Sequence, residues 1–312
     1  MILKQATLRD RVTLEGIGVH SGSPVRIVLH PADSGTGICF LRTGLEGGRE
    51  RLIAARHYAV GATRLCTVLS DGNGASVATV EHLMAALAGL GIDNVTVEID
   101  GPEMPILDGS SAQFVEAIDQ VGIVQQAARR RYIKVLKTVR VEEGASFAEL
   151  RPLDSGFRLE VEIDFETPLI GRQRRVTHLT PAVFRKDIAR ARTFGFMRDV
   201  ELAWKNNFAL GASLDNTVVL GDDRIINPEG LRWPDEFVRH KTLDAIGDLA
   251  LAGAPIQGLF RSYRPGHTIN AMVLAKLLED RSAYMMVDDR PQRENGHADV
   301  VTTAPAFAPD AS

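Results

Sequence analysis

The sequence predicts an α+β protein built from two similar domains. Its 312 residues give room for about two domains of roughly 150 residues each. In each half, short alternating runs typical of strands come first, and two helical patterns with a strand between them follow. A shift of 158 residues places His82 on His240 and Gly109 on His267, so both segments share the order helix, strand, glycine-containing loop, helix. A site common to both domains is expected in the cleft between them.

Period-two patterns predict the strands of the first half. They cover residues 11–14, 25–30, 37–42, 63–70, 76–80 and 94–99. The turn Asp71-Gly72-Asn73-Gly74 predicts a hairpin between two of these strands. Helices are predicted over 81–90, closed by Gly91 as a C-cap, and over 111–121.

The second half repeats this order and adds an insertion. Strands are predicted over 132–141, 146–150, 158–165 and 255–261, and helices over 235–251 and 268–278. Residues 193–227 contain an amphipathic helix (198–205) and a hairpin around Gly221, which predicts an insertion of βαβ character. A polar, basic stretch (125–131) is the expected linker, so the predicted domains are 1–126 and 130–285, followed by a flexible tail (288–312).

Composition narrows the class of protein. A hydrophobic content of 45% is enough for a sizeable core, and a net charge of −4 argues against general nucleic-acid binding, which needs a basic surface. The two cysteines, Cys39 and Cys66, are too few for a disulfide framework and have no zinc-ribbon spacing. The N-terminal residues lack the apolar region of a signal peptide, and no apolar run approaches the ~18 residues of a membrane span. A soluble cytoplasmic protein is therefore expected.

Two distant stretches predict one metal site. His240 and Asp244 are four residues apart, so on a helix they share a face and can hold one edge of a divalent cation. His82 can supply a third ligand from another helix, with Glu81 beside it as a base. Three protein ligands with an open position are typical of catalytic zinc, which indicates a hydrolase.

Simpler interpretations of the first pair remain open. A glutamate at a helix start often only complements the helix dipole, and a single histidine is more often packed or exposed than bound to metal. The zincin motif HExxH is absent, because the residue four positions after His82 is Ala86. The second helix must therefore complete the site.

The second stretch is more informative than the first. His240, Asp244 and Asp248 form one stripe, which on an exposed helix would be a solvated face. The apolar neighbours Leu243 and Ile246 indicate instead that this helix is buried, and buried carboxylates need partners. His267 follows Gly266 at a helix start, where it can act as a general acid whose imidazole Asp248 orients.

Taken in order, these stretches resemble a known family, the UDP-3-O-acyl-N-acetylglucosamine deacetylases. The resemblance runs from about residue 4 to 279. The matching motifs are Gly16-Ile17-Gly18-Val19-His20-Ser21-Gly22, Thr63-Arg64-Leu65-Cys66-Thr67, Thr79-Val80-Glu81-His82-Leu83, Gly91-Ile92-Asp93-Asn94, Pro105-Ile106-Leu107-Asp108-Gly109-Ser110, Ala191-Arg192-Thr193-Phe194-Gly195-Phe196, Asp235-Glu236-Phe237-Val238-Arg239-His240-Lys241 and Gly266-His267.

The resemblance implies a fold and a set of roles. The fold is two similar two-layer sheet/helix domains with the helices packed between the sheets. One Zn²⁺ per chain is bound by the ligands His82, His240 and Asp244. The implied proton-transfer and oxyanion groups are Glu81 as general base, His267 as general acid, Asp248 as partner of His267, and Thr193 and Lys241 at the oxyanion. The candidate substrate contacts are Phe194, Cys66 and Leu214, with Arg264 at the diphosphate.

The implied reaction removes the N-acetyl group from a UDP-3-O-((R)-3-hydroxyacyl)-N-acetylglucosamine, the committed step of lipid A synthesis. The partner is this UDP-acyl-aminosugar, with no nucleic acid and no membrane span, and a monomer is expected. Two alternatives stay open: a zinc amidase for another N-acetylated sugar or amide, and a metal-holding binding protein without turnover. The presence of both Glu81 and His267 argues against the second, because binding zinc requires neither.

Overall fold

The computed structural model describes residues 4–206 and 208–288, so the predicted tail from residue 289 onward lies outside the described residues. Elements of the first half are β1 (Lys4–Leu8), β2 (Val12–Ile17), β3 (Pro24–Pro31), β4 (Ile38–Arg42), β5 (Arg51–Ala54), β6 (Leu69–Ser70), β7 (Ser76–Val77), α1 (Glu81–Leu90), β8 (Val95–Ile99) and α2 (Ala112–Val121). Five strands form one sheet in the order β2-β3-β8-β4-β5, in which β8 is antiparallel to β3 and parallel to β4.

The second half begins with a second group of strands. These are β9 (Ile123–Arg129), β10 (Arg131–Val135), β11 (Val139–Glu143), β12 (Ser146–Arg151), β13 (Phe157–Asp164) and β14 (Arg172–His178). A short helix α3 (Pro181–Val183) then continues into a π-helical turn, Phe184–Ile188. The remaining elements are β15 (Phe194–Phe196), α4 (Met197–Lys205), β16 (Val218–Leu220), α5 (Glu236–Ala250), β17 (Ile256–Tyr263), α6 (His267–Glu279) and β18 (Tyr284–Asp288).

The two halves share one topology, as the sequence predicts. Strand β17 is antiparallel to β12 and parallel to β13, and hairpins add β11 and β14 at the outer sides. This repeats the arrangement of the first sheet around β8. In both halves one helix precedes the central strand and one follows it. Strands β10 and β18 extend the second sheet and have no counterpart in the first.

The helices lie between the sheets. Helix α2 packs on β2, α6 packs on β11 and β12, α5 packs on β13 and β14, and α1 packs against α5. Only Ala88 of α1 is not buried, which is the pattern of a helix apolar all round. Gly91 ends α1 in the left-handed region (φ 78°, ψ 36°), as a C-cap glycine does. The α+β prediction with helices between two sheets is confirmed. Within the described ranges, no helix is long and apolar enough to cross a membrane.

The insertion has the predicted βαβ character. Strands β15 and β16 pair in parallel, α4 connects them, and an antiparallel bridge between Leu220 and Ile225 closes the hairpin around Gly221. Thr193 donates its backbone N–H to the carbonyl of Gly109 at 2.8 Å, which ties the start of the insertion to the first half.

Several element predictions are wrong in detail. The expected linker is strand β9, which pairs antiparallel with β1. The single strand expected over 132–141 is two strands, β10 and β11, and the hairpin strands around Asp71 shrink to two residues each. Strand β14 was not predicted because its residues are mostly Arg and Gln, and strand β18 runs through the predicted boundary at 285 to Asp288. Strand β14 lacks the apolar alternation on which a sequence prediction depends.

Candidate functional site

Three buried side chains converge where α1 and α5 meet. The candidate ligand atoms of His82, His240 and Asp244 all lie within 4.8 Å of one another. Asp244 Oδ1 is 3.3 Å from His240 Nε2 and 3.7 Å from His82 Nε2. Helix α1 places His82 in its first turn, and α5 places the other two on one face, four residues apart.

The donor set fits a divalent metal ion. Asp244 Oδ1 is buried and has no hydrogen-bond partner among the residues that the structure describes, whereas Asp244 Oδ2 accepts a hydrogen bond from Lys241 Nζ at 2.9 Å. His240 Nδ1 donates to the carbonyl of Ala191 at 3.0 Å, which leaves the Nε2 lone pair facing the cluster. Two imidazole nitrogens and one carboxylate oxygen are ligands that zinc accepts.

The charges of these groups suit metal binding. Burial, aided by the neighbouring His240, lowers the pKa of His82 to about 3, so this imidazole is neutral at physiological pH. Burial also lowers the pKa of His240. Burial disfavours ionisation of Asp244, but the nearby cations, Lys241 and His267 among them, oppose it, and the pKa of this carboxyl lies below its usual value. Neutral imidazoles beside a carboxylate are the protonation states that a metal requires.

A carboxylate and an imidazole face each other beside the cluster. Glu81 Oε1 is 3.7 Å from His267 Nε2, and both side chains are buried. Burial raises the pKa of Glu81 to about 7, although the charge of His267 opposes the shift. Burial alone would lower the pKa of His267, but Asp248 and Glu81 outweigh it and raise this pKa to about 10. The pair therefore combines a carboxylate close to its protonation midpoint with a cationic imidazole.

Asp248 holds His267 in place. His267 Nδ1 donates to Asp248 Oδ2 at 2.9 Å, and Asn270 Nδ2 donates to the same oxygen at 2.9 Å. Thr67 Oγ1 donates to Asp248 Oδ1 at 2.6 Å, and the Thr67 backbone N–H donates to Glu81 Oε2 at 3.1 Å. Thr67 thus donates hydrogen bonds to both Glu81 and Asp248, the two carboxylates beside His267.

The start of the insertion lies against the cluster. The ring of Phe194 is 6.2 Å from the ring of His240, and Lys241 Nζ lies 5.5 Å from the centre of the Phe194 ring. Thr193 directly precedes Phe194. The buried Arg192 anchors this segment, because its Nε donates to Glu236 Oε1 at 3.0 Å at the start of α5.

The other sequence candidates are placed differently. Cys66 is buried, and burial together with the charge of Glu81 raises the pKa of its thiol to about 12, which makes it unreactive as a nucleophile. Leu214 is 40% exposed on the insertion. Arg264 donates to Asp164 at 3.2 Å and lines a separate pocket of about 600 Å³ with Phe165 and the insertion residue Phe196.

Sequence reasoning assigned no role to the residues that support the site. Thr67, Asn270 and Arg192 position the groups described above, yet Thr, Asn and Arg are common residues and carry no motif of their own. The buried carboxylate of Glu103, which was also not predicted, accepts from the backbone of His20 at 2.9 Å and from Oγ1 of Thr79, two residues before Glu81, at 2.9 Å. Thr67 and Arg192 do lie within motifs that match the family. Membership in those motifs is the one sequence feature that could have indicated a role for them.

Comparison with known proteins identifies the family. The family model for UDP-3-O-acyl N-acetylglycosamine deacetylase matches residues 5–279. Proteins named UDP-3-O-acyl-N-acetylglucosamine deacetylase from Brucella ovis, Brucella abortus and Brucella melitensis are each 55% identical to this chain over 285 residues, which is 91% of this chain and 98% of each relative. This chain therefore belongs to the UDP-3-O-acyl N-acetylglycosamine deacetylase family.

Proposed function

We propose that this chain is a zinc-dependent amidohydrolase that removes the acetyl group of UDP-3-O-((R)-3-hydroxyacyl)-N-acetylglucosamine, giving UDP-3-O-acyl-glucosamine and acetate. This is the committed step of lipid A synthesis. The names of the Brucella relatives support the substrate. The structural observation that most strongly supports hydrolysis is the buried pair of Glu81 and His267. This pair lies beside the cluster of His82, His240 and Asp244. A protein that only binds metal has no use for such a pair.

One Zn²⁺ per chain is proposed at this cluster, with His82, His240 and Asp244 as its ligands. When bound, the ion supplies Lewis-acid chemistry: it polarises the acetyl carbonyl and makes water more acidic. The hydrogen bond from Lys241 to Asp244 Oδ2 keeps that carboxylate ionised, and the contact of His240 Nδ1 with Ala191 fixes the tautomer.

The protein residues divide the proton transfers. Glu81 accepts a proton from the attacking water as general base, and a pKa of about 7 suits this role near neutral pH. His267, cationic below about pH 10, donates a proton from Nε2 to the leaving amine nitrogen. An amine leaves an amide readily only when it is protonated. Asp248 keeps the His267 imidazole oriented and charged.

Thr193 and Lys241 are the proposed stabilisers of the oxyanion that forms during attack. Thr193 directly precedes Phe194 at the start of the insertion. Lys241, on α5, lies over the Phe194 ring, which is beside His240. Phe194, Cys66 and Leu214 are proposed to contact the substrate, and the insertion is proposed to form the passage for its acyl chain. Arg264 is proposed at the diphosphate, since a guanidinium in an open pocket suits phosphate oxygens.

The proposal extends to the domain division, the oligomeric state and the cellular compartment of the protein. We propose two domains that divide between β9 and β10, the second ending with β18, with the metal ion held at their junction. We also propose a cytoplasmic monomer that binds no nucleic acid, in line with a net charge of −4.

Acetate release from purified protein tests this function. The protein, loaded with one equivalent of zinc, is incubated with UDP-3-O-acyl-N-acetylglucosamine, and acetate is measured with and without a chelator. Release that the chelator abolishes and zinc restores is expected. UDP-N-acetylglucosamine without the acyl group serves as the matched substrate. Equal kcat/KM for both sugars would instead favour an amidase for other N-acetylated sugars. Absence of acetate release from both sugars would favour a metal-binding protein without turnover.

A further inference from the structure

A large cleft lies between the two halves, away from the candidate site. Its volume is about 1020 Å³, and none of the metal cluster, Glu81, Asp248 or His267 lines it. Leu87 and Ala88 of α1 and Leu249 and Ala250 of α5 form part of its apolar wall. On α5, Leu249 lies on the side of the helix opposite His240 and Asp244, because successive residues turn by about 100°. The volume is at the upper end of the roughly 300–1,000 Å³ typical of small-molecule pockets.

Arg56 reaches this cleft from the first half. Its guanidinium lies directly on the second half: a Cβ atom at Gly253 would fall 1.2 Å from Arg56 Nη1, so the guanidinium occupies the space beside this glycine. The side chain makes one long hydrogen bond, from Nη1 to the carbonyl of Ala252 at 3.4 Å. Within residues 4–206 and 208–288, no carboxylate forms an ion pair with Arg56.

The other charged residues of the cleft are already paired. Arg130 Nε donates to Asp93 Oδ1 at 2.8 Å, and Arg131 Nε lies 3.7 Å from Asp288 Oδ1. The charged residues that line the cleft are the three arginines Arg56, Arg130 and Arg131 and the one carboxylate Asp93. The wall is therefore apolar with an excess of positive charge, and among the described residues that line it Arg56 is the cation with unused donors.

We propose that this cleft is a second binding site, for a single-chain amphiphile with an anionic head group. The apolar wall along α1 and α5 receives the chain, since a polar ligand there would lose hydrogen bonds to water without replacement. The Arg56 guanidinium receives a carboxylate or phosphate, the groups that its planar donors match. No residue proposed for deacetylation takes part.

Binding of a dansyl-labelled undecanoate to the zinc-loaded protein tests the proposal, with competing ligands kept below the concentration at which they form micelles. Dodecanoate and dodecyl phosphate are expected to displace the probe, and the stronger of the two identifies the head group. Dodecanol, the neutral counterpart, is expected to compete at least tenfold more weakly. Each methylene from decanoate to dodecanoate should strengthen competition by up to about fourfold, the equivalent of ~0.8 kcal/mol.

Two variants locate the site independently. Arg56→Gln is expected to weaken probe binding on the order of 10-fold or more, because it removes a charged hydrogen bond, whereas the exposed Arg51→Gln should leave it unchanged. Ala250→Trp should fill the cleft and abolish binding. Both cleft variants should keep the kcat/KM of the wild type, which shows that they fold. Equal probe affinity of Arg56→Gln and wild type, or equal competition by dodecanol and dodecanoate, overturns the proposal. Binding that survives Ala250→Trp but falls in Leu214→Trp also overturns it, since the probe then sits in the insertion.

Discussion

Helices α1 and α5 occupy corresponding places in the two halves but contribute different groups to the site. Each precedes the central strand of its sheet, and each brings a histidine to the junction, where the rings of His82 and His240 lie 5.1 Å apart. The shift of 158 residues that relates these histidines also relates Ala86 to Asp244 and Leu90 to Asp248. The carboxylates of the stripe are therefore confined to α5.

This difference shows how a repeated fold can hold an asymmetric site. The common topology places the two imidazoles across the junction from each other, with their rings edge to face. Only α5 adds the carboxylate that completes a donor set and the one that orients His267. Helix α1 adds Glu81 instead, one residue before its histidine. In the proposed function, α5 would supply two of the three metal ligands, and α1 would supply the third ligand and the base.

The largest effect short of metal loss is expected at Glu81. Glu81→Gln keeps the shape of the side chain but cannot accept the proton of the attacking water, so kcat should fall by ~10² or more. Zinc content should stay at one per chain, which separates the base from the ligand beside it. The exposed Glu116→Gln on α2 is the matched control. Loss of zinc together with activity in Glu81→Gln would mean that α1 contributes two ligands.

His267 should determine the alkaline limit of activity. Its folded pKa is raised to about 10, so the acid form is present below that pH and is lost as pH rises through about 10. The wild-type kcat/KM should therefore fall above about pH 10. His267→Ala should lose ~10²-fold in kcat and show no such fall, while the exposed His178→Ala should behave as wild type. An unchanged alkaline limb in His267→Ala would assign the general acid to another residue.

The same shift pairs two helical glycines, which gives a matched test of packing. A Cβ atom at Gly247 in α5 would lie 2.1 Å from the carbonyl oxygen of Glu81, and one at Gly89 in α1 would lie 2.3 Å from the ring of Phe184. A side chain can move aside more readily than backbone. Both Gly→Ala variants should lose ~1–3 kcal/mol in the free energy of unfolding, but only Gly247→Ala should also lower kcat, because it displaces Glu81. Equal kcat values would show that the contact between the helices does not position the base.

The smallest effect is expected in the insertion, whose βαβ unit is not repeated among the described residues of the first half. If it lines the acyl passage, Leu214→Trp should lower kcat/KM for long-chain substrates more than for short-chain ones, by at most ~0.8 kcal/mol per excluded methylene. The comparison is kcat/KM for short and long acyl substrates on wild type and variant. Equal losses at both lengths would place the chain elsewhere.

The sequence predicts the parts of the molecule in which periodicity or residue type is strong. Helices α1 and α5 were located to within one residue, because apolar residues run through them and Gly91 closes the first. The stripe of His240, Asp244 and Asp248 was visible because it interrupts an otherwise apolar helix. Polar edge strands such as β9 and β14 carry no such contrast and were missed.

The supporting contacts could not be predicted for a different reason. Thr67 and Asn270 reach Asp248 across 181 and 22 residues of sequence, and Arg192 reaches Glu236 across 44. Only the folded chain brings these partners together. The position of the Arg56 guanidinium, which has no ion-pair partner among the described residues, is likewise a property of the junction between the halves and of the glycine opposite it.

The zinc content of His82→Ala and His240→Ala, measured beside acetate release, tests most directly whether both halves hold the metal. Each variant is expected to lose the metal, and activity should fall with it by ~10² or more, whereas His178→Ala should keep one zinc per chain and wild-type turnover. Full zinc occupancy with wild-type turnover in either His82→Ala or His240→Ala would contradict a metal centre shared between α1 and α5.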